Sequence, residues 1–138
     1  MVQKRARAYT KNHQHEQALA DYTRAIGLKR NDASLHFGRG WANQSLRRYE
    51  DAVRDYDEAI RLAPDHAAAR NGRGNTNRSL GRHEAALGDF DHLIRYNPKF
   101  VAGYYNRALV LIDLKQPDES GVDVGILLNT EGPDPDSL

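Results

Sequence analysis

Apolar and small residues recur along this chain at helical spacing, and turn-forming residues interrupt them at regular intervals. In the middle of the sequence Ala52, Val53, Tyr56, Ala59 and Ile60 fall at i, i+1, i+4, i+7 and i+8, the stripe of a helix with one buried face. Leu46 closes the helix before it, and "RRYED" turns the chain from one to the other. Pro64 and Pro98 stand just after second helices, where proline cannot continue them. The pattern predicts helices throughout, arranged as antiparallel pairs.

The pattern also repeats. Residues 33–66 and 67–100 match at nearly half their positions when superposed, and the offset is 34 residues. "HFGRGW" at 36–41 returns as "RNGRGN" at 70–75. Upstream, "NHQHEQALADYTRAIGLKRND" fits the second half of the same unit; downstream, "VAGYYNRALVLIDLKQPDES" fits the first half. Small residues form columns where two helices must touch: Gly40, Gly74 and Ala108 in first helices, Ala18, Ala52 and Ala86 in second helices. A mid-helix glycine costs about 1 kcal/mol of propensity, which close packing recovers. With no strand before it and no third glycine, the Gly-Arg-Gly triplet is a helix contact and not a phosphate loop.

With this period, these columns, the Tyr22/Tyr56/Phe90 column and a proline between units, the chain resembles the tetratricopeptide repeat family over roughly residues 1–115. It is most similar to the bacterial-style variety with "GRG" in the first helix and "DYDEAI" in the second. The resemblance implies an all-α, right-handed solenoid of stacked helix pairs, with about three full repeats and a degenerate fourth. The units are expected at 1–32, 33–66, 67–100 and 101–128, followed by a disordered acidic tail at 129–138. Pro117 is expected in the first turn of a short last helix, weakened by Gly121 and Gly125, with Val124, Leu127 and Leu128 placed to pack.

Two polar columns persist in every unit: Arg5, Arg39, Arg73 and Arg107, and Asp21, Asp55, Asp89 and Asp123. They are expected to be structural ion pairs, with arginine on the first helix bridging to aspartate on the second or on a neighbouring unit.

In the family the first helices line the inner face, and partners are bound there. Read onto this chain, that face holds Lys4, Arg7 and Lys11, then Phe37, Trp41 and Gln44, then Asn71, Asn75 and Arg78, then Tyr105, Asn106, Leu109 and Asp113. Asparagine can bond both the N–H and the C=O of an extended peptide, and stiff aromatics make contact area at low entropic cost. Gly38 and Gly72 are expected to leave gaps through which a peptide main chain could approach. Some relatives grip acidic chaperone tails with a clamp of Lys, Asn, Asn, Lys and Arg. Those positions here hold Gln3, Arg7, Gly38, Ala68 and Gly72, or one unit later Phe37, Trp41, Gly72, Ala102 and Asn106, so that clamp is not expected.

Charge refines the picture. The net charge of +1 hides a gradient: residues 1–50 carry ten Lys/Arg against four Asp/Glu, and residues 101–138 carry two against seven. The basic start would favour an acidic end of the ligand. There are no cysteines, which excludes disulfides and thiolate metal sites. His13 and His15 are placed in an interhelical turn and lack a third metal ligand in suitable spacing. No catalytic triad, H-E-x-x-H or paired carboxylate motif is present, so no cofactor and no catalysis are expected. No apolar stretch approaches a membrane span, and the basic N-terminus has no apolar stretch behind it; a cytoplasmic protein is the default. The expected function is an adaptor or scaffold that binds a partner protein. The alternatives are head-to-tail self-assembly through the repeat ends, or single-stranded nucleic-acid binding by the basic N-terminal half with aromatic stacking.

Overall fold

The computed structural model describes the backbone of residues 2–115 and the side chains of residues 11–115. These residues form six helices and no strand: α1 (Val2–Leu28), α2 (Ala33–Ser45), α3 (Tyr49–Leu62), α4 (Ala67–Ser79), α5 (His83–Tyr96) and α6 (Val101–Lys115). Each packs against the next in sequence, and α2, α4 and α6 also touch one another in a row. The result is the expected all-α helical-repeat solenoid: α2, α4 and α6 make one layer, and α3 and α5 contribute the second. No helix among the described residues is long and apolar enough to cross a membrane.

The hairpins are built alike. Asn43 and Asn77 carbonyls accept from the amides of Arg48 and Arg82, both at 2.8 Å, closing a C-terminal motif that requires a left-handed residue one position earlier. That residue is Gly81 in one hairpin (φ +78°) and Arg47 in the other (φ 62°). The half-buried Leu46 and Leu80 cap the preceding helices. At α2 the start is fixed by Asp32, whose carboxylate accepts from the Ser34 amide at 3.0 Å and the Ser34 hydroxyl at 2.6 Å. These bonds, the hydroxyl's first, hold the Asp32 carboxyl below its usual range. At α4, His66 Nδ1 accepts from the Ala69 amide at 3.1 Å.

The first unit departs from the expected helix pair. Where the repeat pattern predicts a turn near His13 and His15, α1 runs unbroken for 27 residues, about 40 Å at 1.5 Å per residue. Two physical reasons are visible. Neither glycine nor proline occurs between Val2 and Ile26. The position equivalent to the capping leucines is Asn12, and the left-handed position falls on His13. Contacts of His15 with Trp41 and of Glu16 with Arg48 set the register. Residues before about 12 therefore extend past the end of α2.

The core is a succession of aromatic rings set against glycines. Tyr56 and Phe90 are fully buried, with Ala52, Ala59, Ile60 and Ala69 around the first and Ala86, Leu93 and Val110 around the second. A Cβ placed on Gly40 would lie 2.9 Å from the Tyr56 ring, and one on Gly72 only 2.6 Å from it. Tyr56 is thus inserted between two successive first helices. Phe90 approaches Gly74 in the same way, and Tyr22 approaches Gly38, at 2.6 and 2.3 Å from the notional Cβ. The second helix and tail expected at 116–138, with Asp123, lie outside the described residues.

Candidate functional site

Arginine and aspartate columns meet between the layers. The Arg39 guanidinium donates to both oxygens of Asp55, with Nε–Oδ1 3.0 Å and Nη2–Oδ1 2.8 Å, and Asn43 Nδ2 donates to Asp55 Oδ2 at 2.9 Å. Arg73 forms the same fork on Asp89, at 3.0 and 2.6 Å. Each arginine also reaches backwards. The Nη1 of Arg73 donates to Asp57 at 2.8 Å, that of Arg107 to Asp91 at 3.1 Å, and that of Arg39 to the Thr23 hydroxyl at 3.4 Å. An arginine on a first helix therefore ties its own second helix to the preceding one. The second acceptor column, Thr23/Asp57/Asp91, was not expected, although it too recurs every 34 residues. Hydrogen bonds to Asp89, and then to Asp57, raise the Arg73 guanidinium further above its ordinary value against the opposing effect of burial. Asp21 is exposed and makes no ion pair among the described residues; Arg5 lies where side chains are not described.

Between α3 and α5 a cavity of about 440 Å³ is lined by Asp57, Arg70, Arg73, Asp89 and His92 among others. Burial first, then the Arg70 charge, holds His92 below its ordinary value. The arginines and aspartates here are already engaged with one another, so the cavity belongs to the scaffold. No group of three His, Asp or Glu among the described residues could hold a metal ion. His13 and His15 lie within α1, not in a turn.

The face formed by α2, α4 and α6 divides the expected ligand-facing residues into two sets. Some are committed within the fold. The half-buried Phe37 packs on Tyr56 and His66, with ring centroids 5.9 and 5.1 Å apart. Gln44 Oε1 accepts from the Tyr56 hydroxyl at 2.5 Å, whose proton is held tightly because burial, and then the Asp55 charge, push its pKa up. Asn106 is buried and donates to Asn71 Oδ1 at 2.8 Å, joining α6 to α4. Arg78 forks onto Asp113 at 2.6 and 3.3 Å, and His83 stands 3.9 Å from the same carboxylate.

Others remain available. Trp41 is 52% exposed and meets the edge of His15 at a 5.3 Å centroid distance. Tyr105 is 65% exposed. Asn75 and Leu109 are half-buried, and Asn75 makes no side-chain hydrogen bond among the described residues. The expected gaps at Gly38 and Gly72 are not gaps: the Tyr22 and Tyr56 rings fill them from behind. Lys11 is exposed on α1, and Lys4 and Arg7 belong to the stretch that projects past α2. The side chains of Lys4 and Arg7 lie outside the described residues.

Comparison with known proteins agrees with this architecture. Two family models described as tetratricopeptide repeat match residues 44–92 and 1–32. No curated protein matches the chain. Among solved structures, the second tetratricopeptide repeat domain of human RPAP3, in complex with the HSP70 peptide SGPTIEEVD, is 26% identical. It matches with a TM-score of 0.69 over 78% of this chain and 90% of that one. The Arabidopsis OM64 tetratricopeptide repeat domain is also 26% identical, with a TM-score of 0.69 over 75% and 86%. A tetratricopeptide repeat protein from Parabacteroides merdae, 24% identical, superposes with a TM-score of 0.74 over 91% of this chain and 49% of that one.

Proposed function

Because the chain belongs to the tetratricopeptide repeat family, we propose that it is a non-catalytic interaction module, an adaptor or scaffold that holds an extended segment of a partner protein across α2, α4 and α6. The observation that carries this reading is the row of Trp41, Asn75, Leu109 and Tyr105. Two of these are large exposed aromatics on a rigid helical layer, and between them stands an amide with both its donor and acceptor unengaged among the described residues. Rigid aromatics flanking a polar anchor are what binding hot spots are commonly made of. The peptide complex of the human relative supports the general mode.

The partner segment in this reading is anchored by main-chain bonds and apolar side chains, not by a terminal carboxylate. Arg78, one turn from Asn75 on α4, is paired with Asp113. The clamp positions hold glycine or alanine at 38, 68 and 72. A preference for an acidic end would rest on Lys4 and Arg7, whose side chains lie outside the described residues.

Trp41 is the only tryptophan in the sequence, so its fluorescence reports on the row directly. Peptides selected from a random display library against the wild type are expected to shift Trp41 emission. They should lose at least tenfold in affinity, about 1.4 kcal/mol, for Trp41→Ala/Asn75→Ala. Selected peptides that bind the double variant unchanged would place the site elsewhere.

A further inference from the structure

The second half of α1 carries the signature of a second helix without the first helix that should cover it. In the next unit the signature positions Ala52, Asp55, Tyr56 and Ala59 are all buried. Their equivalents in α1 are not: Ala18, Tyr22 and Ala25 are only half-buried, and Asp21 is exposed. Asp55 and Asp89 each take a forked arginine sixteen residues earlier in sequence. Asp21 has an arginine at that separation, Arg5, but in a continuous helix the two positions stand about 24 Å apart along the axis.

Residues 2–12 carry the complementary first-helix signature. Arg5 falls in the arginine column, and Ala6 falls in the small-residue column of Gly40, Gly74 and Ala108. A first helix and the slot it fits are therefore both present, on one rod that cannot fold onto itself without a turn. We infer that the slot is filled by a second copy of this chain. Two α1 helices lie antiparallel about a two-fold axis near residue 13, so that residues 2–12 of each cover residues 14–24 of the other. The contact is isologous, and both slots are closed by exchange of an element already specified for that position. Arg5 of each copy then sits beside Asp21 of its partner. The inference rests on the pattern of α1 and not on the peptide-binding reading.

The register gives a specific test. At Gly40 a Cβ would lie 3.3 Å from the Cβ of Asp55, close to the spacing a disulfide spans. The equivalent pair in the first unit is Ala6 and Asp21, and the chain has no cysteine of its own. Ala6→Cys and Asp21→Cys proteins, mixed, equilibrated and mildly oxidised, are expected to give a disulfide-linked dimer that neither gives alone. Light scattering on the unmodified chain is expected to show a dimer. A monomer at all concentrations would overturn the inference, as would an Ala6→Cys/Asp21→Cys variant that closes its bridge within one chain. A dimer that does not cross-link at 6–21 would overturn it too, by placing the interface elsewhere.

Discussion

Tyr56 shows how much a single side chain is asked to do. Its ring separates two first helices, and its hydroxyl donates to Gln44 at the edge of the proposed binding row. Gly72 exists to admit that ring. Gly72→Ala is expected to destabilise the protein by about 1–3 kcal/mol, because the added methyl meets a fully buried ring that cannot retreat. Gly88, on the exposed side of α5, has nothing within 4 Å of a notional Cβ. Gly88→Ala should therefore stabilise by about 0.5–1 kcal/mol through helix propensity and a less free unfolded chain. Urea denaturation of the two variants checks the contrast; a common sign would refute the packing account. Where the column of Gly38 and Gly72 continues, residue 106 is asparagine, and the aromatic sixteen residues earlier is Phe90, without a hydroxyl. Asn106 uses that position to bond Asn71.

Asp55 is the second such residue. It accepts from Arg39 and Asn43 while almost wholly buried. Asp55→Ala would strand a guanidinium and an amide, with an expected cost of about 3–5 kcal/mol and far less effect on peptide affinity. The reverse ranking in parallel denaturation and binding titrations would move this pair from scaffold to site.

At the scale of the helix, ends decide the architecture. Both hairpins need a left-handed residue after the first helix, and glycine supplies it in only one. Arg47 adopts φ 62°, at a cost of roughly 1–2 kcal/mol for a residue with a Cβ. Arg47→Gly is expected to raise the urea midpoint by an amount corresponding to about 1 kcal/mol; no gain would mean that the Arg47 side chain compensates for its backbone. The helices α2 to α6 are legible in the sequence because their apolar stripes, prolines and small-residue columns all point to the same ends. The absence of a turn near His13 is not, because the repeat pattern assigns a helix pair to residues 1–32 whether or not a local stop signal exists. Period reports which residues belong to a unit; only the capping residues report whether the chain reverses inside it.

For the molecule as a whole, the architecture is more legible in the sequence than the binding row. Repetition amplifies every packing residue, so Arg39, Arg73, Asp55 and Asp89 stand out as columns in the string of residues alone. Ligand-facing positions are the ones where units differ: Phe37, Asn71 and Tyr105 share one position and share no chemistry. Repeat position puts Phe37, Gln44, Asn71, Asn106 and Arg78 on the inner face, and the structure engages each of them with a neighbour. That engagement depends on what stands opposite on another helix, which a single unit's pattern does not contain.

The forward and backward reach of the arginines has a consequence for how such a chain can change in length. Arg73 joins Asp89 sixteen residues ahead and Asp57 sixteen behind, and the two offsets nearly span one period. A tandem duplication of residues 33–66 would present every new junction with acceptors already in register, so the array could grow by whole units without any new interface having to evolve. An insertion of part of a unit within a helix would move the arginine off its acceptors. Growth in this molecule is quantised, and the ruler is the arginine.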